Sequence, residues 1–245
     1  MMTLVVGASG ATGRLLVQQL LTRGQKVKVI VRSPGNLPEG VRNHEHLSVI
    51  RASIMGLSSV EMAQHVSGCT AVASCLGHTL SLKGVYGAPR RLVTDAVRRL
   101  CDAIKANKAE APTKFVLMNT AGNSNRDLDE RVSFGQKCVI GLIRLFVPPH
   151  VDNENAADYL RVAIGQDDDA IEWATVRPDN LINEAEVTEY VVHASPTRSA
   201  IFDAGVTSRI NVGHFMADLI TDDDTWNRWK GRMPVIYNKA SSAAE

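Results

Sequence analysis

The clearest chemistry in the sequence lies in Gly7-Ala8-Ser9-Gly10-Ala11-Thr12-Gly13. This stretch follows the apolar run Thr3-Leu4-Val5-Val6 and precedes Arg14, after which Leu15, Leu16, Val17, Leu20 and Leu21 recur at helical spacing. A strand that turns through glycines into a helix makes a phosphate cradle. The glycines let the backbone approach a pyrophosphate, and the helix N-terminus offers unpaired N–H groups and a positive dipole end. The spacing is G-x-x-G-x-x-G, not the more familiar G-x-G-x-x-G. It predicts a dinucleotide site at Gly7, Ser9, Gly10, Ala11, Thr12 and Gly13, with Arg14 in the first helical turn beside the pyrophosphate. A second strand ends Val31-Arg32-Ser33. An NAD site places an acidic residue there to hold the ribose 2′-hydroxyl, whereas a guanidinium and a hydroxyl suit a 2′-phosphate. Arg32 and Ser33 therefore predict NADP(H) over NAD(H). Ser53, after the third strand, is expected at the adenine edge.

Proton chemistry has weaker candidates. His150 and Glu154 stand four apart, so one helical face can carry both, the carboxylate orienting a near-neutral acid or base. The plainer alternative makes His150 a loop residue after Pro148-Pro149 and Glu154 an N-terminal helix carboxylate. His78 follows Leu76-Gly77 and can sit over the nicotinamide side of a pocket. Thr120, or its neighbour Asn119, can hydrogen-bond a substrate oxygen at the end of the fifth strand. Tyr86 and Lys83 fall in a loop where substrate contacts are expected. No metal site is expected, because the histidines lack ligand spacing and the Asp167–169 and 222–224 clusters lack the alternating ligands of a calcium loop.

These groups must be held by alternating strands and helices. Strands are predicted at 3–6, 26–31, 47–50, 71–75, 114–118 and 171–176, and helices at 14–23, 59–66, 92–107, 153–164 and 214–220. That alternation signals an α/β fold with a mainly parallel sheet covered on both faces. The 245 residues are 44% hydrophobic, enough for a sizeable core. The 27 basic and 26 acidic residues leave a net charge of +1, which argues against a nucleic-acid partner. Cys69, Cys75, Cys101 and Cys138 are scattered and read as buried reduced thiols. The expected location is cytoplasmic, with no secretion leader and no membrane span. Residues 134–147 are almost wholly apolar and end at Pro148-Pro149. Three readings stand for them: a core helix, a helix that covers the substrate pocket or pairs with a second subunit in a homodimer, or an element on a membrane surface.

The glycine turn, Arg32-Ser33, Ser74-Cys75-Leu76-Gly77 and Trp173-Ala174-Thr175-Val176-Arg177-Pro178 together resemble the atypical short-chain dehydrogenase/reductases. The similar groups are the NmrA-like and the biliverdin/flavin reductase-like proteins. The resemblance implies a Rossmann-type, doubly wound, mainly parallel sheet of about seven strands with a small C-terminal substrate-side extension. It makes residues 1–245 one NAD(P)-binding domain, with an apolar insertion near 123–150 and a substrate-side part near 179–240. Leu76 and Gly77 would then pass the nicotinamide ribose, and the segment after Arg177-Pro178 the carboxamide. Typical members carry a Tyr-x-x-x-Lys pair for proton transfer. Here Arg90, Ala163, Ala194 and Ser241 stand four residues after Tyr86, Tyr159, Tyr190 and Tyr237. By register the pair's positions hold His150 and Glu154, and the active-site serine's position holds Asn119 or Thr120. The resemblance implies an NADP(H)-dependent oxidoreductase, without the Tyr-Lys pair, acting on a flat or hydrophobic acceptor such as a flavin, quinone or carbonyl. The alternatives are a non-catalytic NADP(H)-sensing regulator with a protein partner, and an NAD(P)-dependent epimerase or lyase.

Overall fold

The structure, a computed structural model, describes residues 1–78 and 81–239, with all side chains except those of Leu82 and Lys83. Its strands are β1 (Met2–Val6), β2 (Lys26–Val31), β3 (Leu47–Arg51), β4 (Ala71–Ser74), β5 (Thr113–Met118), β6 (Ile171–Pro178), β7 (Asn180–Ile182), β8 (Tyr190–His193), β9 (Val206–Ser208) and β10 (Val235–Asn238). Its helices are α1 (Gly13–Thr22), α2 (Glu39–Arg42), α3 (Ser59–Val66), α4 (Leu82–Tyr86), α5 (Leu92–Asn107), α6 (Phe134–Phe146), α7 (Pro148–Asp158), α8 (Arg209–Thr221) and α9 (Asp223–Trp229). Eight strands form one sheet in the order β3-β2-β1-β4-β5-β6-β10-β8. All its pairings are parallel except β10 with β8. The order runs outward in both directions from β1, so the chain reverses between β1 and β4. Open α/β sheets bind ligands at such a switch point, beyond the C-terminal strand ends.

Strands buried on both faces need helices above and below, and the hydrophobic pattern supplies them. Leu16, Val17, Leu20 and Leu21 of α1 join Val212, Phe215 and Met216 of α8 on one face. On the other, Val93, Ala96, Val97, Leu100 and Ile104 of α5 pack with Met62 and Val66 of α3 and with Ala156 and Ala157 of α7. The α3 start is fixed locally by a capping box, in which Ser58 Oγ accepts from Glu61 N–H and the Glu61 carboxylate accepts from Ser58 N–H. After Pro178, β10 and β8 extend the sheet edge, while α8 and α9 return to the α1 face.

Several expectations fail for identifiable reasons. Pro148-Pro149 does more than close an apolar helix. α6 stops at Phe146, and the two prolines open α7, where a missing N–H costs nothing. The helix expected at 153–164 therefore begins five residues earlier, at Pro148, and its last turn, Tyr159–Ile164, is π-helical. His150 consequently lies in a helix, not a loop. The helix expected at 214–220 begins at Arg209, capped by Ser208. α6 is not a core helix: Phe134 is 83% exposed and Leu145 72%, and only Gln136 and Ile140 are buried. Cys138, on the same helix, is exposed rather than buried. No described helix is long and apolar enough to cross a membrane.

Candidate cofactor and acceptor cleft

A cleft of about 740 Å³ runs across the C-terminal ends of the central strands. Its middle is the glycine turn. Gly7 sits at φ +75°, and a Cβ there would lie 2.4 Å from the Cys75 carbonyl carbon and oxygen. A Cβ on Gly13 would lie 2.2 Å from the Gly7 oxygen. Both positions exclude any larger residue, since the obstacle is backbone. Gly10 N–H donates to the Gly7 oxygen at 3.0 Å and closes the turn. Thr12 caps α1 without a side-chain hydrogen bond, and the first turn carries no acid. The N–H groups of Ala11 and Thr12 have no partner among the described residues. This is a cradle for an anion, open where a pyrophosphate needs donors.

Ser9, Gly10, Ala11 and Thr12 line the cleft with Gly7, while Gly13 lies beneath it. At one end β2 and β3 deliver Arg32 and Ser53 to the wall, with Ile54 and Met55 beside them. Arg32 is exposed and has no hydrogen bond or ion pair among the described residues. Ser33 and Arg14 are exposed and lie off the lining.

The other end is walled by Leu76, Gly77, Pro89, Leu92 and Met118, with polar groups from His78, Asn119 and Asn153. The buried His78 ring is fully engaged within the protein: Nε2 is 2.8 Å from Asp152 Oδ2 and Nδ1 is 3.1 Å from the Gly84 carbonyl oxygen. Asp152 also accepts from Val93 N–H at 2.8 Å and Thr94 N–H at 3.0 Å. It thereby caps α5, whose own Arg91 provides no cap. One carboxylate on α7 joins the loop after β4 to the start of α5. Asn119 donates to the Asn153 carbonyl oxygen at 2.8 Å, and its own oxygen accepts from Thr120 N–H and from the Asn123 amide. Asn153 lines the cleft, and its side chain has no hydrogen-bond partner among the described residues.

Thr120 and His150 do not reach the lining. Both flank Gly122, where a Cβ would lie 3.6 Å from His150 Cε1 and 3.7 Å from Thr120 Oγ1. Thr120 Oγ1 accepts from Gly122 N–H at 3.3 Å. His150 Nε2 lies 3.4 Å from Glu154 Oε1, within ion-pair reach but misaligned for a hydrogen bond. Glu154 is buried and takes a two-pronged contact from Arg144 of α6, with Nε 2.8 Å from Oε2 and Nη2 2.8 Å from Oε1. Burial by itself would push the Glu154 pKa up. The His150 and Arg144 contacts outweigh it and bring it down to about 2. The Glu154 carboxylate thus clamps α6 to α7. Cys75 lines the cleft, but burial pushes its thiol up to about 12 and its sulfur lies against Met216, so it is no thiolate nucleophile. Arg177, fully buried, serves structure: it pairs with Glu130 at 2.7 Å and donates to the Met233 and Asn123 carbonyl oxygens. Tyr86 lies outside the cleft wall and donates to the Phe146 carbonyl oxygen. The Lys83 side chain lies outside the described residues, and no α6 residue lines the cleft.

Asp152 and Asn153 carry no sequence motif. Their roles come from partners dozens of residues away, and the only local signal was polar residues at a helix start.

The family profile described as NAD(P)H-binding matches residues 7–223. No curated protein sequence matches the chain. Among solved structures, a short-chain dehydrogenase/reductase from Veillonella parvula in complex with NADP is 17% identical, with a TM-score of 0.70 over 98% of this chain and 95% of that one. A candidate NADH-flavin reductase from Streptococcus pneumoniae is 18% identical, with a TM-score of 0.64 over 98% of this chain and 100% of that one. A candidate NAD-dependent epimerase/dehydratase from Bacillus halodurans is 18% identical, with a TM-score of 0.67 over 98% and 94%. At these identities the likeness is one of fold.

Proposed function

Because the chain belongs to the NAD(P)H-binding family, we propose that it is an NADPH-dependent oxidoreductase that passes hydride to a flat or hydrophobic acceptor. A flavin or a quinone is the favoured acceptor. The observation that carries this reading is the lining of the acceptor end. Among the described residues, the titratable side chains on the cleft wall are Arg32, at the other end, and His78 and Cys75, both engaged within the protein. Ring acceptors that take hydride without a protein acid suit such a wall, and a simple carbonyl, whose oxygen must be polarised, suits it less. An epimerase or lyase would need a base there.

The cofactor, when bound, supplies the hydride; the chain's task is to bind, orient and exclude water. The glycine turn and the α1 N-terminus hold the pyrophosphate. Arg32 holds the 2′-phosphate and sets the preference for NADP(H). Leu76, Leu92 and Met118 form the apolar wall against the reacting rings, and the Asn153 carboxamide offers a donor and an acceptor to orient them. The accompanying proton comes from solvent. Cytoplasmic location and a small-molecule partner follow from this reading.

The test is NADPH oxidation by purified protein with riboflavin, FMN, a naphthoquinone and an aliphatic ketone. Turnover is expected with the flavins or the quinone and not with the ketone. If nothing is reduced while NADP⁺ and NADPH bind unequally, the chain is a nucleotide-sensing regulator.

A further inference from the structure

We infer that the outer face of α6 is a docking surface for α6 of a second copy of this chain. Phe134, Cys138, Gly141 and Leu145 follow at spacings of four, three and four, one line down a single helix face. All four are exposed, and Leu142 and Phe146 flank them at 58% and 60% exposure. Phe202 continues the patch: it is 64% exposed and lies 3.5 Å from where a Gly135 Cβ would stand. Five large side chains at these exposures present roughly 670 Å² of apolar surface, taking about 200 Å² for each. That reaches the upper end for a monomer's largest patch and approaches the ~800 Å² per partner of a stable interface.

Gly141 identifies the occupant. It lies in the middle of a helix, where glycine costs about 1 kcal/mol against alanine. A Cβ there would meet nothing within 4 Å, so no contact within the chain requires its absence. A missing side chain on an outward face suits close approach by another backbone. The face is also self-complementary. If two α6 helices cross antiparallel on a two-fold axis near Val139, Phe134 faces Leu145 of the second copy, and Cys138 faces Gly141 of the second copy. Large ends meet large ends while small centres let the helices close, as an isologous contact requires. A lipid surface fits less well. Of the two cations on α6, Arg144 is held by Glu154, leaving Lys137 as the contribution to an anionic headgroup layer. The Arg144–Glu154 contact also links this interface to α7 and so to the wall that carries Asn153.

Sedimentation velocity on the full chain over a concentration series tests the proposal, with a dimer expected. Leu145→Glu should raise the dissociation constant about thirtyfold or more. Gly141→Leu separates assembly from folding: a monomer has room for the side chain and gains helix propensity. This variant should therefore keep its helix content and melting temperature while losing the dimer. A short bismaleimide should join two wild-type chains and fail with Cys138→Ser. A monomer at every concentration, or a dimer indifferent to Gly141→Leu and Leu145→Glu, overturns the proposal. A monomer that sediments with anionic vesicles overturns it in favour of a membrane surface.

Discussion

The two ends of the cleft are built by different means. At the phosphate end, backbone meets backbone. Gly7 fits against the Cys75 carbonyl and Gly13 against the Gly7 oxygen, all within a short loop and its neighbouring strand. At the acceptor end, side chains from distant segments meet: Asp152 reaches His78 and the first turn of α5, and Asn119 reaches the Asn153 carbonyl. A backbone cradle tolerates no added atom whatever its chemistry. A side-chain junction tolerates shape changes and fails when a charge partner is lost. On the proposed reading, the first arrangement suits a fixed cofactor, and the second allows the acceptor to be chosen.

The sharpest attack on this contrast is Gly7→Val. Its Cβ overlaps backbone at a left-handed φ, so a loss of roughly 4 kcal/mol in stability is expected in urea titrations, with nucleotide binding abolished. Asp152→Ala should cost about 3 kcal/mol in the same titrations, because it leaves His78 and two α5 amides without their acceptor. A cost near that of an ordinary surface substitution would erase the distinction between the two ends. Arg32→Asp should reverse the cofactor preference by about 100-fold, read as the ratio of NADPH to NADH affinity; equal NADPH affinity in both proteins would remove Arg32 from the site. Glu154 sharpens the pH side. Its folded pKa, about 2, lies below the ordinary 4.5, so its stabilisation is complete above about pH 4.5 and is withdrawn as pH falls toward 2. Melting temperature should drop over that interval, and more steeply in wild type than in Glu154→Gln. The smallest effect belongs to Thr120→Val. With its hydroxyl turned to Gly122, NADPH affinity and turnover should stay within about twofold.

What could be read from sequence divides along the same line. The glycine turn and strands β1 to β6 were legible because their causes are local: apolar runs, glycines at a strand–helix junction, helical periodicity. β7 to β10 are three or four residues long and gave too little pattern. The Pro148-Pro149 pair stops one helix and starts the next, and sequence showed only the stop. An apolar face at 134–147 announces burial without saying against what, and here the chain itself leaves it open. Thr120 and His150 have suitable chemistry at suitable spacing, yet both turn toward Gly122. Asn153 was unreadable because its importance is the absence of a partner in a place only the fold creates.

Asp152 and Asn153 are consecutive, and their circumstances are opposite. Asp152 holds three groups from two other segments, whereas the Asn153 side chain holds nothing among the described residues. A single codon step therefore separates a position where almost any replacement loosens the molecule from one where many replacements leave it intact and alter only what the cleft accepts. If the proposed function holds, mutational drift in this chain should thus be able to retune the acceptor by changing residue 153 without disturbing the scaffold held by residue 152.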